Sequence, residues 1–246
     1  MWISALTVVL ALGTAPAHAA KPIIPFAETA IFFEFNSTDR DLGIQIFFDA
    51  EGWRQVKVAG PGGKIFKVGN GGGLKQIGST EVFTESAEPE LCEEGAGMCD
   101  LDQAIAEFLS RFPEGTYVFT GKTIENGKLV GDAELSWSLP AAVGIVDAEG
   151  NFPAVVWTPG MGGEEVVRYE VVVEAVAEVD DDEEVFTQVT QVTSDVTSIT
   201  SSPEFAALVD DLLMDGSLVE LKVEIIAIGA NGNKTITEEA IFEAEE

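Results

Sequence analysis

Histidine, the side chain that most often transfers protons in catalysis, occurs once in the 246 residues, at His18. It lies in a segment that is expected to be removed, so the mature chain should lack Ser-His-Asp and Cys-His catalysis and His-rich zinc sites. Carboxylates are the remaining candidates, with 43 Asp and Glu side chains. Pairs at the spacing of a glycoside hydrolase arise by chance in so acidic a chain, and a catalytic pair also needs a pocket. We therefore predict that the protein is not an enzyme.

An acidic turn is the best local candidate for a metal site. Asn36, Asp39, Asp41 and Gly43 follow the pattern N-x-x-D-x-D-x-G where the chain should reverse direction. Calcium binds oxygen ligands, so Asn36, Asp39 and Asp41 are candidate calcium ligands, and calcium is the only cofactor that the sequence suggests. The alternative is a polar turn in which Asn and Asp cap the backbone themselves. Only three side-chain ligands can be named here, whereas calcium takes six to eight oxygens. The polar turn is therefore the favoured interpretation.

A basic segment interrupts the acidic chain between residues 52 and 80, where no acid occurs. Its bases are Arg54, Lys57, Lys64, Lys67 and Lys75. Such a segment could bind an anionic polysaccharide or the acidic second half of the chain. The alternative is a solvated sheet face whose lysines protect an edge strand from aggregation.

The overall charge limits the partners. The chain has 43 acidic and 13 basic side chains, a formal net charge of −30, which makes nucleic acid and anionic membranes poor partners. The charge is uneven, because residues 140–246 carry 24 acids and 3 bases whereas residues 21–139 carry 19 acids and 10 bases. This step supports a domain boundary near Pro140.

The N-terminal segment has the pattern of an export signal. Ile3 to Leu12 are apolar, and Ala17-His18-Ala19 fits a cleavage site, so we predict a signal peptide at residues 1–19. No later window is long and apolar enough to span a membrane. The predicted location is secreted, cell-surface or periplasmic, where Cys92 and Cys99 should form a disulfide.

Residues 20–139 read as a β-rich domain with one short helix. Alternating apolar residues predict a hairpin around residues 31–48 and strands at 53–59, 64–68 and 81–85. A helix should begin after Asp100, with Gln103 completing a capping box, and should continue to Pro113. A second hairpin is expected around Asn126-Gly127. The end of this domain is similar to the last strands of exported Ig-like domains.

Residues 140–246 carry a spaced set of core residues. Trp157 and Pro159 stand in VVWTP, Tyr169 opens an alternating Tyr-x-Val-x-Val run, and Leu221 opens another that leads to an Asn-Gly turn. This set resembles the fibronectin type III domain, and the resemblance implies a two-sheet β-sandwich with Trp157 packed near Tyr169. The chain departs from the family at Leu221, where the family has a tyrosine.

A second departure is a helix in the connection before Leu221. Ser202 is the expected N-cap, Pro203 the first helical residue and Gly216 the terminator. Its apolar face should cover the end of the sandwich and consists of Phe205, Leu208, Val209, Leu212 and Leu213. A run of five carboxylates, residues 180–184, is expected at a loop tip, with strands following at 185–192 and 195–200.

The fold class is therefore mainly β, with an Ig-like sandwich followed by a fibronectin type III-like sandwich. We predict an exported, non-catalytic binding or scaffolding protein whose partner is an extracellular protein or polysaccharide, or another domain or copy of this chain. One alternative is an accessory or carboxylate-based hydrolytic component acting on extracellular polymers. Another is a subunit of a surface assembly built by edge-strand pairing.

Overall fold

The computed structural model describes residues 21–92, 99–179 and 182–244, and the predicted signal peptide lies outside these residues. No helix in these three ranges is long and apolar enough to cross a membrane. The strands are β1 (Ile23–Pro25), β2 (Glu28–Asn36), β3 (Asp41–Gly60), β4 (Gly63–Gly69), β5 (Ser79–Glu85), β6 (Gly115–Thr123), β7 (Lys128–Leu135), β8 (Gly144–Ile145), β9 (Ala154–Thr158), β10 (Val166–Val179), β11 (Asp182–Thr193), β12 (Ser198–Thr200), β13 (Leu218–Gly229) and β14 (Lys234–Glu243). The helices are α1 (Leu74–Ile77), α2 (Leu101–Leu109), α3 (Ala148–Asn151) and α4 (Pro203–Asp215).

Strand β3 organises the N-terminal sandwich. The sequence predicted separate strands at 44–48 and 53–59, but they form one strand of 20 residues with a register shift between Asp49 and Trp53. Its first half pairs with β2 and β5, and its second half pairs with β4 and β6. Because one strand takes part in both layers, the two sheets of this sandwich are connected through it. The predicted hairpins β2–β3 and β6–β7 are confirmed.

The N-terminal core is rich in aromatic side chains. Phe33, Phe48, Trp53, Tyr117 and Phe119 are all almost fully buried, and Phe48 contacts Trp53 edge-to-face with ring centroids 5.6 Å apart. The Tyr117 hydroxyl donates a 3.0 Å hydrogen bond to the Pro113 carbonyl, four residues earlier. This is the arrangement of the tyrosine corner of Ig-like sandwiches.

The N-terminal helices differ from the prediction in two respects. Helix α2 begins as expected, with the Asp100 side chain accepting from the Gln103 amide, but it ends at Leu109 rather than at Pro113. Residues 111 and 112 instead form tight turns back to Phe108 and Leu109. The capping box is incomplete because the Gln103 side chain donates to Glu107. The single turn α1 was not predicted.

The C-terminal sandwich packs a three-stranded sheet, β12-β9-β8, against four strands in the order β14-β13-β10-β11. Trp157 and Tyr169 are both 2% exposed, and their rings meet edge-to-face with centroids 5.4 Å apart. The predicted packing of these two residues is confirmed. Val171, Val173 and Ile225 complete the centre of the core and have no exposed surface.

Helix α4 closes one end of this sandwich. It starts at the predicted cap, where the Ser202 hydroxyl accepts from the Phe205 amide, and it ends at Gly216, whose φ of 79° is left-handed. Phe205, Val209 and Leu212 are buried, whereas Leu213 is 43% exposed and does not belong to the covering face.

The carboxylate run was predicted to lie at a loop tip, but part of it belongs to a strand. Asp182, Glu183 and Glu184 belong to β11 and pair with the end of β10 at Val179, Glu178 and Ala177. Asp180 and the residue after it lie outside the described residues.

The two sandwiches share one continuous sheet. We call the place in this sheet where they meet the seam. At the seam β14 pairs in parallel with β2, placing Lys234 beside Glu34, Thr235 beside Phe35 and Ile236 beside Asn36. The cores remain separate, one within residues 26–139 and the other within residues 143–242. The predicted domain limits remain a prediction.

Candidate functional site

The strand register places several polar residues on one outer face beside the seam. Across neighbouring strands, Glu85 of β5 lies opposite Gln45 of β3, Gly43 of β3 lies opposite Glu34 of β2, and Glu34 lies opposite Lys234 of β14. Directly opposite residues point to the same side of a sheet and their side chains contact one another. This face therefore collects carboxylates from segments that are distant in sequence.

Three of these carboxylates form a cluster. Glu34, Glu85 and Glu88 each place an oxygen within 4.8 Å of the other two, and we call them the carboxylate cluster. Gln45, only 2% exposed, lies against it, and its Nε2 donates to Glu34 Oε1 and Glu85 Oε1, both at 2.7 Å. One buried amide thus holds two carboxylates in place.

Glu88 enters the cluster above Gly43, which has no side chain. A Cβ atom at position 43 would lie 2.5 Å from Glu88 Oε1, so a larger residue would displace that carboxylate. Burial raises the pKa of the Glu88 carboxyl to about 7, and repulsion from Glu85, Asp41 and Glu34 contributes in the same direction. Uncompensated negative charge is therefore costly at this position.

Lys234 forms an ion pair with Glu34 of the cluster. Its Nζ lies 2.7 Å from Glu34 Oε2 and 5.0 Å from the centroid of the Phe32 ring. Because Lys234 belongs to β14, this ion pair also crosses the seam. A single lysine leaves the three carboxylates with a net negative charge.

The predicted calcium turn lies next to the cluster. Asn36 Oδ1 accepts from the backbone amides of Thr38 and Asp39, and its Nδ2 donates to Asp39 Oδ2 at 3.1 Å and Glu238 Oε1 at 2.6 Å. The Asn36 amide thus caps the turn, as in the polar-turn alternative. Calcium binding by Asn36, Asp39 and Asp41 remains a prediction.

Asp41 and Asp39 also line a groove beside the turn. The groove has a volume of about 610 Å³, and Glu88 and Glu90 contribute to its wall. Burial raises the pKa of Asp41, and repulsion from Asp39 and Glu34 raises it further. The turn and the carboxylate cluster are thus electrostatically coupled.

Sequence reasoning missed the cluster. Glu34 and Gln45 occupy outward positions of the predicted hairpin, so their side of the sheet could be read from alternation. The approach of β5, which brings Glu85 and Glu88 to them, had no local signal.

The basic segment lies on β3, β4 and α1 of the N-terminal sandwich. Lys57 of β3 stands directly opposite Lys67 of β4, and Lys64 lies opposite Ala59 near the end of the same hairpin. Arg54 Nη1 donates to Asn126 Oδ1 at 3.4 Å, whereas Lys75 lies apart on α1. The structure therefore brings together part of the predicted patch.

Three lysines that the sequence prediction omitted extend this patch. Lys21, Lys122 and Lys128 line a groove of about 310 Å³ together with Lys57. Lys122 and Lys128 are cross-strand partners in the hairpin around Asn126-Gly127, so the turn signal could have paired them. We call these four residues, Lys21, Lys57, Lys122 and Lys128, the lysine groove.

The predicted disulfide between Cys92 and Cys99 is confirmed, with the two Cα atoms 5.8 Å apart. Cys92 is buried and lines the groove beside Asp41. The bond joins Cys92, four residues after Glu88, to Cys99 shortly before α2.

No family model matches this sequence, and no curated protein matches it. Two solved structures show weak likeness. One comes from work on the host cell surface retention of a bacterial ice-binding adhesin, at 13% identity over 86% of this chain, with a TM-score of 0.23. The other comprises domains of titin, at 16% identity over 93% of this chain, with a TM-score of 0.21. The chain spans 63% of the length of each. At these scores the likenesses carry no argument, and the description of two β-sandwiches rests on the strand pairing itself.

Proposed function

We propose that this protein is an exported, non-catalytic scaffolding protein in which two β-sandwiches act as one rigid unit. The observation that carries the proposal is the seam, where β14 extends the sheet of the first sandwich by pairing with β2. Domains joined only by a polar linker usually move relative to each other, whereas backbone pairing between them opposes such motion. A rigid spacer that presents its surfaces at fixed positions is the function that this geometry supports best.

Buried side chains reinforce the seam. Asn233, 1% exposed, accepts from the Phe33 amide at 2.8 Å and donates to the Ser136 and Ser138 carbonyls, both at 2.8 Å. The Thr235 hydroxyl donates to the Pro140 carbonyl at 2.7 Å. These contacts tie the connection between the sandwiches to both of them, so the connection does not behave as a free linker.

Two features support the finer parts of the proposal. The Cys92–Cys99 disulfide is typical of oxidising compartments and agrees with the predicted export. The strands β12-β9-β8 and β14-β13-β10-β11 form two separate layers, in keeping with the two-sheet β-sandwich that the fibronectin type III resemblance implies. We assign residues 140–246 to that kind of domain, with an extracellular protein or polysaccharide as the partner class.

Small-angle X-ray scattering of the mature chain, residues 20–246, tests the rigid unit. We expect one maximum dimension, unchanged between about 0.1 M and 1 M salt, although the Debye length falls from about 10 Å to 3 Å over that range. A maximum dimension that increases with salt would show that the two domains move independently, and it would refute the proposal. Export is tested separately by intact mass of the secreted product, which should begin at Ala20.

A second candidate function, binding of an anionic polymer, is favoured by the lysine groove. Four lysines around one groove of about 310 Å³ form a local positive surface on a chain of net charge −30. Lys67 of β4, which pairs with Lys57 of the groove, continues this surface beyond it. Sulfated or carboxylated polysaccharides carry the matching charge.

Retention on a heparin column tests this second function. The variant with Lys57→Glu, Lys122→Glu and Lys128→Glu should elute at clearly lower salt than the wild type. The matched control is Lys75→Glu, on α1, which reverses a charge outside the groove and should change elution little. Equal elution of all three proteins would leave the lysines as edge protection only.

A further inference from the structure

Strand β11, at the margin of the C-terminal sandwich, has one strand partner. It pairs with β10 along its whole length of 12 residues, and within the described residues it makes no backbone hydrogen bond to any other strand. In an antiparallel pair, every second residue turns its N–H and C=O groups away from the partner. The free side of β11 is therefore a row of donors and acceptors on which another strand can pair.

The other sheet margins in the described ranges are protected against such pairing, whereas β11 is not. Strand β4 carries two lysines and β5 carries two glutamates, and β1, β8 and β12 have three residues or fewer. Charges and short length are devices by which proteins block edge pairing. Residues 185–193 of β11 instead contain no charge, no proline and no glycine, and they are rich in valine and threonine, which favour strands.

A groove lies beside this free edge. It has a volume of about 510 Å³ and is lined by β11 and by the start of α4, with Phe186, Phe205 and Leu208 as its apolar residues. Gln188 Oε1 accepts from the Ser202 amide at 2.7 Å, which holds the start of α4 next to the strand. An added strand would therefore find both unpaired backbone groups and apolar space for its side chains, the two requirements of recognition by strand addition.

Two apolar side chains are exposed on the outer side of β11. Val185 is 53% exposed and Val189 is 55% exposed, and because they lie four residues apart they point to the same side of the sheet. A second β11 in antiparallel orientation, with the two-fold axis at Thr187, would place Val185 opposite the partner's Val189. The same register places Val189 opposite the partner's Val185, so one contact covers all four side chains.

We propose that β11 pairs with β11 of a second copy of this chain, antiparallel and about a two-fold axis at Thr187. The proposal goes beyond the scaffolding function, because it gives the rigid unit a specific partner and a specific contact strand. It uses neither the seam nor the lysine groove.

The charge pattern of β11 favours this arrangement. Three acids, residues 182–184, precede the uncharged run. Parallel pairing in register would bring the acids of both copies together, and like charges directly opposite each other are destabilising. With the axis at Thr187, these acids lie opposite the uncharged residues 190–192 of the other copy. An axis at Val189 would instead bring one of them opposite Asp195.

The contact closes at two copies. Both molecules use the same strand about a two-fold axis, so neither has a second free β11 on which a third copy could pair. The two copies each carry a formal charge of −30 and repel one another. Salt screens this repulsion, so the dimer should be more stable at high salt.

Sedimentation velocity of the mature chain, residues 20–246, over a range of concentrations tests the dimer. We expect a monomer–dimer equilibrium that becomes tighter between about 0.1 M and 1 M salt, whereas a contact made by the lysine groove with an acidic surface would become weaker. Thr187→Glu should weaken the dimer about tenfold or more, because the two new carboxylates face each other at the axis. The matched control is Thr80→Glu, which adds the same charge at an exposed position of another margin strand, β5, and should leave the dimer within about twofold of the wild type. Thr187 is exposed, so both variants should melt as the wild-type monomer does.

Cross-linking tests the register. Cys92 and Cys99 are bonded to each other, so an introduced cysteine is the free one. Thr187→Cys should form a disulfide between copies on mild oxidation, since directly opposite Cβ atoms are about 4.5–5.5 Å apart. Val189→Cys is the control, because in this register the two copies of residue 189 are separated by four residues of strand, about 13 Å.

Three results would overturn the proposal. A wild-type chain that stays monomeric at high concentration and 1 M salt would leave this edge to a strand of a different protein. Equal weakening by Thr187→Glu and Thr80→Glu would show that added charge acts wherever it is placed. Cross-linking through Val189→Cys in preference to Thr187→Cys would place the axis elsewhere.

Discussion

Replacing Asn233 by alanine should weaken the seam. The side chain connects Phe33 of the first sandwich with Ser136 and Ser138 of the connection. Alanine removes all three hydrogen bonds and adds no new contact. The loss of stability depends on whether each of the three former partners can form another hydrogen bond, to water or to the protein.

The magnitude follows from the fate of each partner. Phe33 has no exposed surface, so its amide loses its acceptor in a buried place, at a cost of about 2–3 kcal/mol. Ser138 O keeps a 2.8 Å hydrogen bond from Asn231 Nδ2. Ser136 is partly exposed, so its carbonyl can be hydrated and contributes about 0.5–1 kcal/mol. We therefore expect the free energy of unfolding to fall by about 3 kcal/mol.

Urea unfolding followed by circular dichroism measures this loss, and hydrogen exchange with mass spectrometry locates it. Asn151→Ala is the matched control, because the Asn151 amide also donates to two carbonyls, at 3.0 Å and 2.8 Å, but lies in a partly exposed position and bonds only to carbonyls four and five residues earlier. The control should lose about 1 kcal/mol or less. The reasoning is refuted if Asn233→Ala loses no more than the control, or if the Phe33 amide stays as protected from exchange as in the wild type.

Three further predictions concern the core, the disulfide and the cluster. Trp157→Ala should lower the free energy of unfolding by about 3–5 kcal/mol, and urea titration should show a much smaller loss for Trp137→Ala, whose indole is 39% exposed. Replacing Cys92 and Cys99 by serine should cost about 2.5 kcal/mol in the same assay, because the bond closes a loop with a sequence separation of 7. An unchanged urea midpoint would contradict this, because it would show that the unfolded chain is already restrained without the disulfide. The pKa of Glu88 rises from 4.5 unfolded to about 7 folded, so the folded state binds its proton more tightly. Stability from this group is complete below pH 4.5 and is lost as the pH rises through 7. Melting between pH 5 and 8 in metal-free buffer should show a decline that Glu88→Gln reduces, by less than about 1 kcal/mol because the exposed side chain is screened by salt.

Local patterns predicted the elements whose partners are close in sequence. Alternation gave the β2–β3 hairpin, the Asn126-Gly127 turn gave β6–β7, and cap residues gave both ends of α4. Spaced apolar residues also placed Trp157 against Tyr169. In each case the physical signal lies within the segment itself or in a set of core residues of one sandwich.

The seam could not be predicted in this way. Glu34 and Lys234 are neighbours on adjacent strands but are 200 residues apart, and nothing in either segment specifies the other. The single strand β3 was read as two because the interruption by Asp49, Glu51 and Gly52 looks like a turn. The residues before and after this interruption pair with neighbouring strands, up to Asp49 and again from Trp53, and this tertiary pairing keeps the strand continuous.

The candidate site was predictable only in part. The turn at Asn36 was found because its polar residues are contiguous, whereas the carboxylate cluster joins residues from three segments. With 43 acids in the chain, charge alone could not select Glu34, Glu85 and Glu88. Their selection depends on Gln45, a buried amide whose role becomes visible only when the strand register is known.

The seam also affects how the chain can be made without self-association. Strands β2 and β14 each lie at the margin of their own sandwich, and an open margin is a template for pairing with another molecule. During synthesis the first sandwich leaves the ribosome before β14 exists, so the end of β2 stays uncovered until a strand 200 residues further along the chain has been made. Strand β14 of the second sandwich is therefore the one that closes the first domain to foreign chains. A fragment containing only the first sandwich should be more prone to aggregation than the whole protein, even with its core intact.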